Sequence, residues 1–156
     1  MEIEPKDLTR PLRLHHPSFR DFLLNKDRSS DPSFWVDDKE AHRALAEDLI
    51  QLLSTALKQD ICGVGSPGAL VTNIEASRLE QCLPPEVQYA CLYWVQHLQK
   101  SGIQLQDNDQ VHQFLREHVL YWFEALGWMR RLREGIHAIT LLDSLTLVRQ
   151  LPRVPR

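Results

Sequence analysis

Apolar residues along this chain return every three or four positions in several separate runs, and nowhere alternate one by one over a useful length. That spacing puts apolar side chains on one face of an α-helix, whereas strict alternation would mark a strand. The first run is short. Phe19, Phe22 and Leu23 recur behind Pro17, which suits a first helical turn because its missing N–H costs nothing there. Arg20 and Asp21 fall on the other side, which predicts a short helix with one apolar face. A longer helix is predicted from Val36 to Gln59. Its stripe is Ala41, Ala44, Leu45, Leu49, Leu52, Leu53, Ala56 and Leu57, and Asp37 and Glu40 have the spacing of a capping box.

The glycines and Pro67 between Asp60 and Asn73 predict a loop, and the stretch after Ile74 reads as a short helical turn. Pro85 opens a third helix that runs to Ser101. Val87, Ala90, Cys91, Trp94, Val95 and Leu98 make its apolar face, and Gly102 stands where a helix C-terminal glycine belongs. A fourth helix is predicted from Gln110 to Met129, with Asp107 or Asp109 as its cap. Its apolar positions are Val111, Phe114, Leu115, Val119, Trp122, Phe123 and Leu126. A last helix is predicted from Glu134 to Arg149 on Ile136, Ile139, Leu142 and Leu145, ending before Pro152 and Pro155. The expected fold class is all-α: about five helices in antiparallel pairs with one glycine-rich loop.

Composition narrows the function more than the fold. A chain of 156 residues with 43% hydrophobic and 25% charged residues is long enough for one domain of ordinary size. The net charge of −3 gives no electrostatic footprint for nucleic acid, and the cluster Arg130, Arg131, Arg133 is short. No apolar run approaches the ~20 residues of a membrane span, and the polar, acid-containing N-terminus is neither a signal nor a typical transit peptide. Cys62, Cys82 and Cys91 are odd in number and form no CxxC, so a reduced, intracellular and cytoplasmic setting is expected.

Each candidate for chemistry has a plainer reading. Gly63 to Gly68, "GVGSPG", fits GxGxxG in form, but a phosphate loop needs a strand before it and a helix after it. There is no Walker A lysine, no HExxH and no GxSxG, so no catalytic residue and no metal site are expected. His112 and His118 are six apart and lie on different helix faces. Glu117 beside His118 reads as a solvated glutamate and a half-buried histidine, and Cys91 as a small buried residue. Trp94, Trp122 and Trp128 at helical spacing read as core. Alternatively, Phe19, Phe22, Trp94 and Trp122 form a partner surface on a stand-alone helical adaptor that binds a protein in a groove between helices. The pair His15–His16, just before the first helix, reads as packing or as a donor to a phosphate or carbonyl.

The run from Leu12 to Gly63, "LRLHHPSFRDFLLNKDRSSDPSFWVDDKEAHRALAEDLIQLLSTALKQDICG", resembles the region just after the nucleotide-binding core in fungal NACHT-domain proteins. These are signal-transduction NTPases of the STAND class, related to vegetative-incompatibility proteins. The resemblance continues through "LPPEVQYACLYWVQHLQKSG", "DNDQVHQFLREHVLYWFEALGWM" and "EGIHAITLLDSL", and spans about residues 10 to 147. In that family the LHxSFRDFL-like segment closes the winged-helix part of the module. Matching on "SFRDF" gives His16 the role of the histidine that reaches the phosphates of bound ADP. His15 stands at a preceding apolar position, and its role stays open.

The resemblance therefore implies three parts: residues 1–30 as a winged-helix remnant, 31–150 as a helical connector and 151–156 as a disordered tail. It implies a non-catalytic fragment with no cofactor of its own, and ADP or ATP only in full-length relatives. Its partner would be a protein, the NACHT core or repeat domain of a relative, with no nucleic acid and no membrane. Because Phe19, Phe22 and Leu23 would face a missing winged-helix partner, Met1 to about Ser30 is expected to be loosely docked or mobile.

Overall fold

The computed structural model describes residues 16–28, 34–65 and 76–147. The described residues are all-helical, with no strand. Six helices follow in order: α1 (Pro17–Leu24), α2 (Asp38–Ala56), α3 (Ala76–Cys82), α4 (Pro85–Ser101), α5 (Gln110–Trp128) and α6 (Leu132–Leu147). The sixth is α3, a full helix where the sequence suggested only a turn. The chain divides into two compact units between Asp38 and Lys39. Most of the expectation for Met1–Ser30, and the whole of the tail 151–156, lie outside the described residues.

In the first unit, α1 starts at His16 and stops at Asn25, whose N–H reaches Asp21 O at 3.1 Å. The Asn25 side chain accepts from Asp27 N at 3.0 Å, and Val36 N–H donates to Leu23 O at 2.8 Å. No residue of α1 is buried. The helix is thus held by caps and local turns rather than by a core.

The second unit has a core, and local chemistry sets its helix ends. Pro85 opens α4 with Glu86 in the first turn, and Lys100 closes it, each charge opposing the helix dipole. Gly102 follows in the left-handed region at φ 70°, which glycine adopts without a Cβ clash. Asp109 caps α5 by accepting from His112 N at 2.8 Å. The α5–α6 turn is a Schellman motif: Arg130 N reaches Gly127 O at 3.0 Å and Arg131 N reaches Leu126 O at 2.8 Å.

All six apolar positions expected on α4 are buried. Trp94 and Trp122 meet edge to face at 5.4 Å, and Phe114 packs on Trp94 at 5.3 Å. The Trp122 indole donates to Cys91 O at 2.9 Å, so its polar edge is satisfied inside the core.

Two apolar faces are only partly where the periodicity placed them: Leu49 and Leu53 on α2, Leu57 just after it and Leu142 on α6 are buried as expected, but each face is rotated at its other positions. On α2 the buried set is Ala46, Leu49, Ile50 and Leu53, while Leu45 is exposed. On α6, Ile136 is 62% exposed and the buried positions are Gly135, Ala138 and Leu142. The reason is close approach. A Cβ built on Gly135 would lie 2.5 Å from Leu126 Cδ1 and 3.3 Å from Phe123 Cε1 on α5. Helix α6 packs against α4 and α5 along Gly135, Ala138 and Leu142, while Ile136 and Ile139 are turned outward. Gly135→Ala should therefore destabilise the unit by about 1–3 kcal/mol, because Leu126 is fully buried and has no room to yield. A lowered chemical-denaturation midpoint is expected; an unchanged one would mean that α5 and α6 separate freely.

Cys62 and Cys82 are joined in a disulfide, their Cα atoms 5.3 Å apart, which corrects the expectation of reduced thiols. The tertiary arrangement brings them together. The Arg78 guanidinium on α3 donates to Cys62 O at 3.0 Å and to Gly63 O at 3.1 Å, laying α3 against the loop after α2. On the other side of that loop, the Glu124 carboxylate accepts from Asp60 N and Ile61 N, both at 3.2 Å. The Asp60 side chain in turn accepts from Val64 N at 2.8 Å and Gly65 N at 2.9 Å. Cys91 is unpaired and buried.

Candidate functional site

His16 stands exposed at the start of α1, in extended backbone, and acts as its N-cap. The Nδ1 atom accepts from Ser18 N at 3.2 Å and lies 2.7 Å from Ser18 Oγ. A ring nitrogen that accepts an amide hydrogen carries no proton, so the neutral ring holds its proton on Nε2. The cap thus leaves an imidazole N–H as the outward donor. His15, its neighbour in sequence, lies outside the described residues.

The other residues singled out from the sequence do not gather around His16. Phe19 is 51% exposed and Phe22 is half-buried, on the same short helix. Trp94 and Trp122 are 0% exposed in the core of the second unit, so neither contributes to a partner surface. The groove that does exist between α4 and α6, about 360 Å³, is lined by Leu92, Val95, Gln96, Arg133, His137 and Leu141 instead.

The phosphate-loop reading of Gly63 to Gly68 fails on its context. Helix α2 precedes Gly63, and no strand is present among the described residues; residues 66–68 lie outside them. Burial pushes the Cys91 thiol up to about 12, which leaves no thiolate for nucleophilic work. Among the described residues no three His, Cys, Asp or Glu side chains form a metal-binding group. No helix among them is long and apolar enough to cross a membrane.

One cluster escaped the sequence. His42 Nδ1 on α2 lies 2.8 Å from His97 Nδ1 on α4, and Tyr89 Oη lies 2.8 Å from His97 Nε2. Burial, reinforced by the nearby His42 and Lys100, holds His97 below the ordinary histidine value. The i, i+4, i+8 spacing of Tyr89, Tyr93 and His97 was visible on one side of α4. The partner histidine, 55 positions upstream, was not.

No protein-family profile matches the chain, and no solved structure gives a significant match. A curated relative does match: the vegetative incompatibility protein HET-E-1 of Podospora anserina is 33% identical over 150 residues, covering 83% of this chain. The chain spans 11% of that relative's length. The similarity is thus of fungal incompatibility type and falls on one stretch of a much longer protein.

Proposed function

We propose that this chain is a non-catalytic helical connector of the NACHT, STAND-class signalling type. In a full-length protein of that kind it would couple the nucleotide state of an NTPase core to a C-terminal repeat sensor. The observation that carries the reading is the 33% identity across 83% of the chain to part of an incompatibility protein. An all-helical unit built on a tryptophan core suits a rigid element that transmits a displacement.

His16 is the residue proposed to read the nucleotide. Its Nδ1 is committed to the α1 cap, and its Nε2–H is available to a β-phosphate of ADP supplied by the NTPase core of a relative. Calorimetry of the chain with such a core tests this, with and without ADP. Binding that requires ADP is expected, and it should fall at least tenfold in both His16→Ala and His16→Asn. Asparagine keeps the cap but lacks the imidazole donor. Full binding by His16→Asn would reduce His16 to a cap, and no binding by the unaltered chain would overturn the proposal.

A further inference from the structure

We propose that His42 and His97 form a chelating site for a square-planar or octahedral divalent ion, Cu(II) before Ni(II), with Tyr89 orienting His97. The two Nδ1 atoms approach to 2.8 Å from two different helices. For metal–nitrogen bonds of about 2.0–2.1 Å, that separation corresponds to a nitrogen–metal–nitrogen angle of roughly 85–90°. The angle is the one adjacent ligands take in square-planar or octahedral complexes. A tetrahedral zinc ion would need nitrogens about 3.3 Å apart, and so a shift of α2 against α4.

Tyr89 Oη lies 2.8 Å from His97 Nε2. In the tautomer that such a site requires, the Nε2 proton is donated to that oxygen, which leaves the His97 Nδ1 lone pair for the ion. Without metal, the His42 Nδ1–H donates to that lone pair. On binding, His42 changes tautomer, its proton moving from Nδ1 to Nε2 by exchange with solvent, and both Nδ1 lone pairs meet the ion. Tyr89 is itself braced by Tyr93, their ring centroids 4.8 Å apart. Both histidines are half-buried, so water completes the coordination, in keeping with the absence of a third His, Cys, Asp or Glu grouped with them among the described residues. The ion order follows the general preference of nitrogen sites for Cu(II) over Ni(II) and Zn(II).

The test is Cu(II) titration of the full chain, followed by calorimetry and electron paramagnetic resonance. A His15→Gln/His16→Gln background removes the adjacent histidine pair as a competitor. One equivalent of Cu(II) should bind, with an axial spectrum showing imidazole nitrogen couplings. Affinity should drop at least tenfold in His42→Gln and in His97→Gln, and severalfold in Tyr89→Phe. Cu(II) should raise the melting temperature of the background chain but not of His97→Gln. Far-UV circular dichroism checks that the variants fold, and a variant that does not fold is replaced by the corresponding alanine change. Equal Cu(II) affinity in the His97 variant, or no equivalent with nitrogen coupling, would overturn the assignment, as would tighter binding of Zn(II) than of Cu(II).

Discussion

Trp122→Ala should remove a large share of the folding stability of the second unit. Trp122 has no exposed surface and touches Trp94, Phe114 and Phe123. Truncating a buried aromatic to alanine costs about 3–5 kcal/mol, because the cavity left behind closes only in part. The substitution also strips Cys91 O of its donor in the core, which adds about 1–3 kcal/mol. Against a total stability of about 5–15 kcal/mol for a domain, the variant should be largely unfolded or have a sharply lowered urea midpoint. Trp122→Phe, which keeps a ring but loses the indole N–H, should fall between the two. A midpoint for Trp122→Ala within error of the unaltered chain would mean that α5 does not centre the core.

Loss of the Cys62–Cys82 disulfide should have the second largest effect. The bridge spans a sequence separation of 20, and closing a loop of that size stabilises by about 3 kcal/mol, chiefly by restricting the unfolded chain. Cys82→Ser should therefore lower the melting temperature by roughly 10–15 °C. A reductant should do the same to the unaltered chain and nothing further to the variant. Without reductant, alkylation of the native protein should label none of the three cysteines, since Cys91 is buried with its thiol raised to about 12. Ready labelling of Cys62 and Cys82, with a melting temperature indifferent to reductant, would show that the pair is not joined in solution.

The local network would outlast the bridge in part. Glu124 holds Asp60 N and Ile61 N from α5, and Arg78 holds Cys62 O and Gly63 O from α3. Reduction should therefore loosen α3 and the loop together rather than melt the unit, whose tryptophans lie on α4 and α5.

The sequence by itself determined the helices and most of their ends. Pro85, Gly102 and Asp109 act through backbone groups within a few residues, so their effect is readable without knowing what lies across the core. The buried face of α4 was legible for a related reason: its apolar residues fill one side of the helix and leave no second choice. The buried faces of α2 and α6 were legible only in part: Leu49, Leu53 and Leu142 are buried as expected, but each helix has apolar residues on more than one side. Packing then selected the face that allows the closest approach, which on α6 is the side of Gly135 rather than that of Ile136. The candidate sites divide along the same line. His16 was singled out by the resemblance of the segment around it, and its role as the cap of α1, through Ser18 two residues on, came from the structure. The bond between His42 and His97 and the joining of Cys62 to Cys82 depend on where whole helices come to rest. Spacing along one chain carries the period of a helix, but not the rotation of that helix against its neighbours, so these pairs were decided only by the tertiary structure.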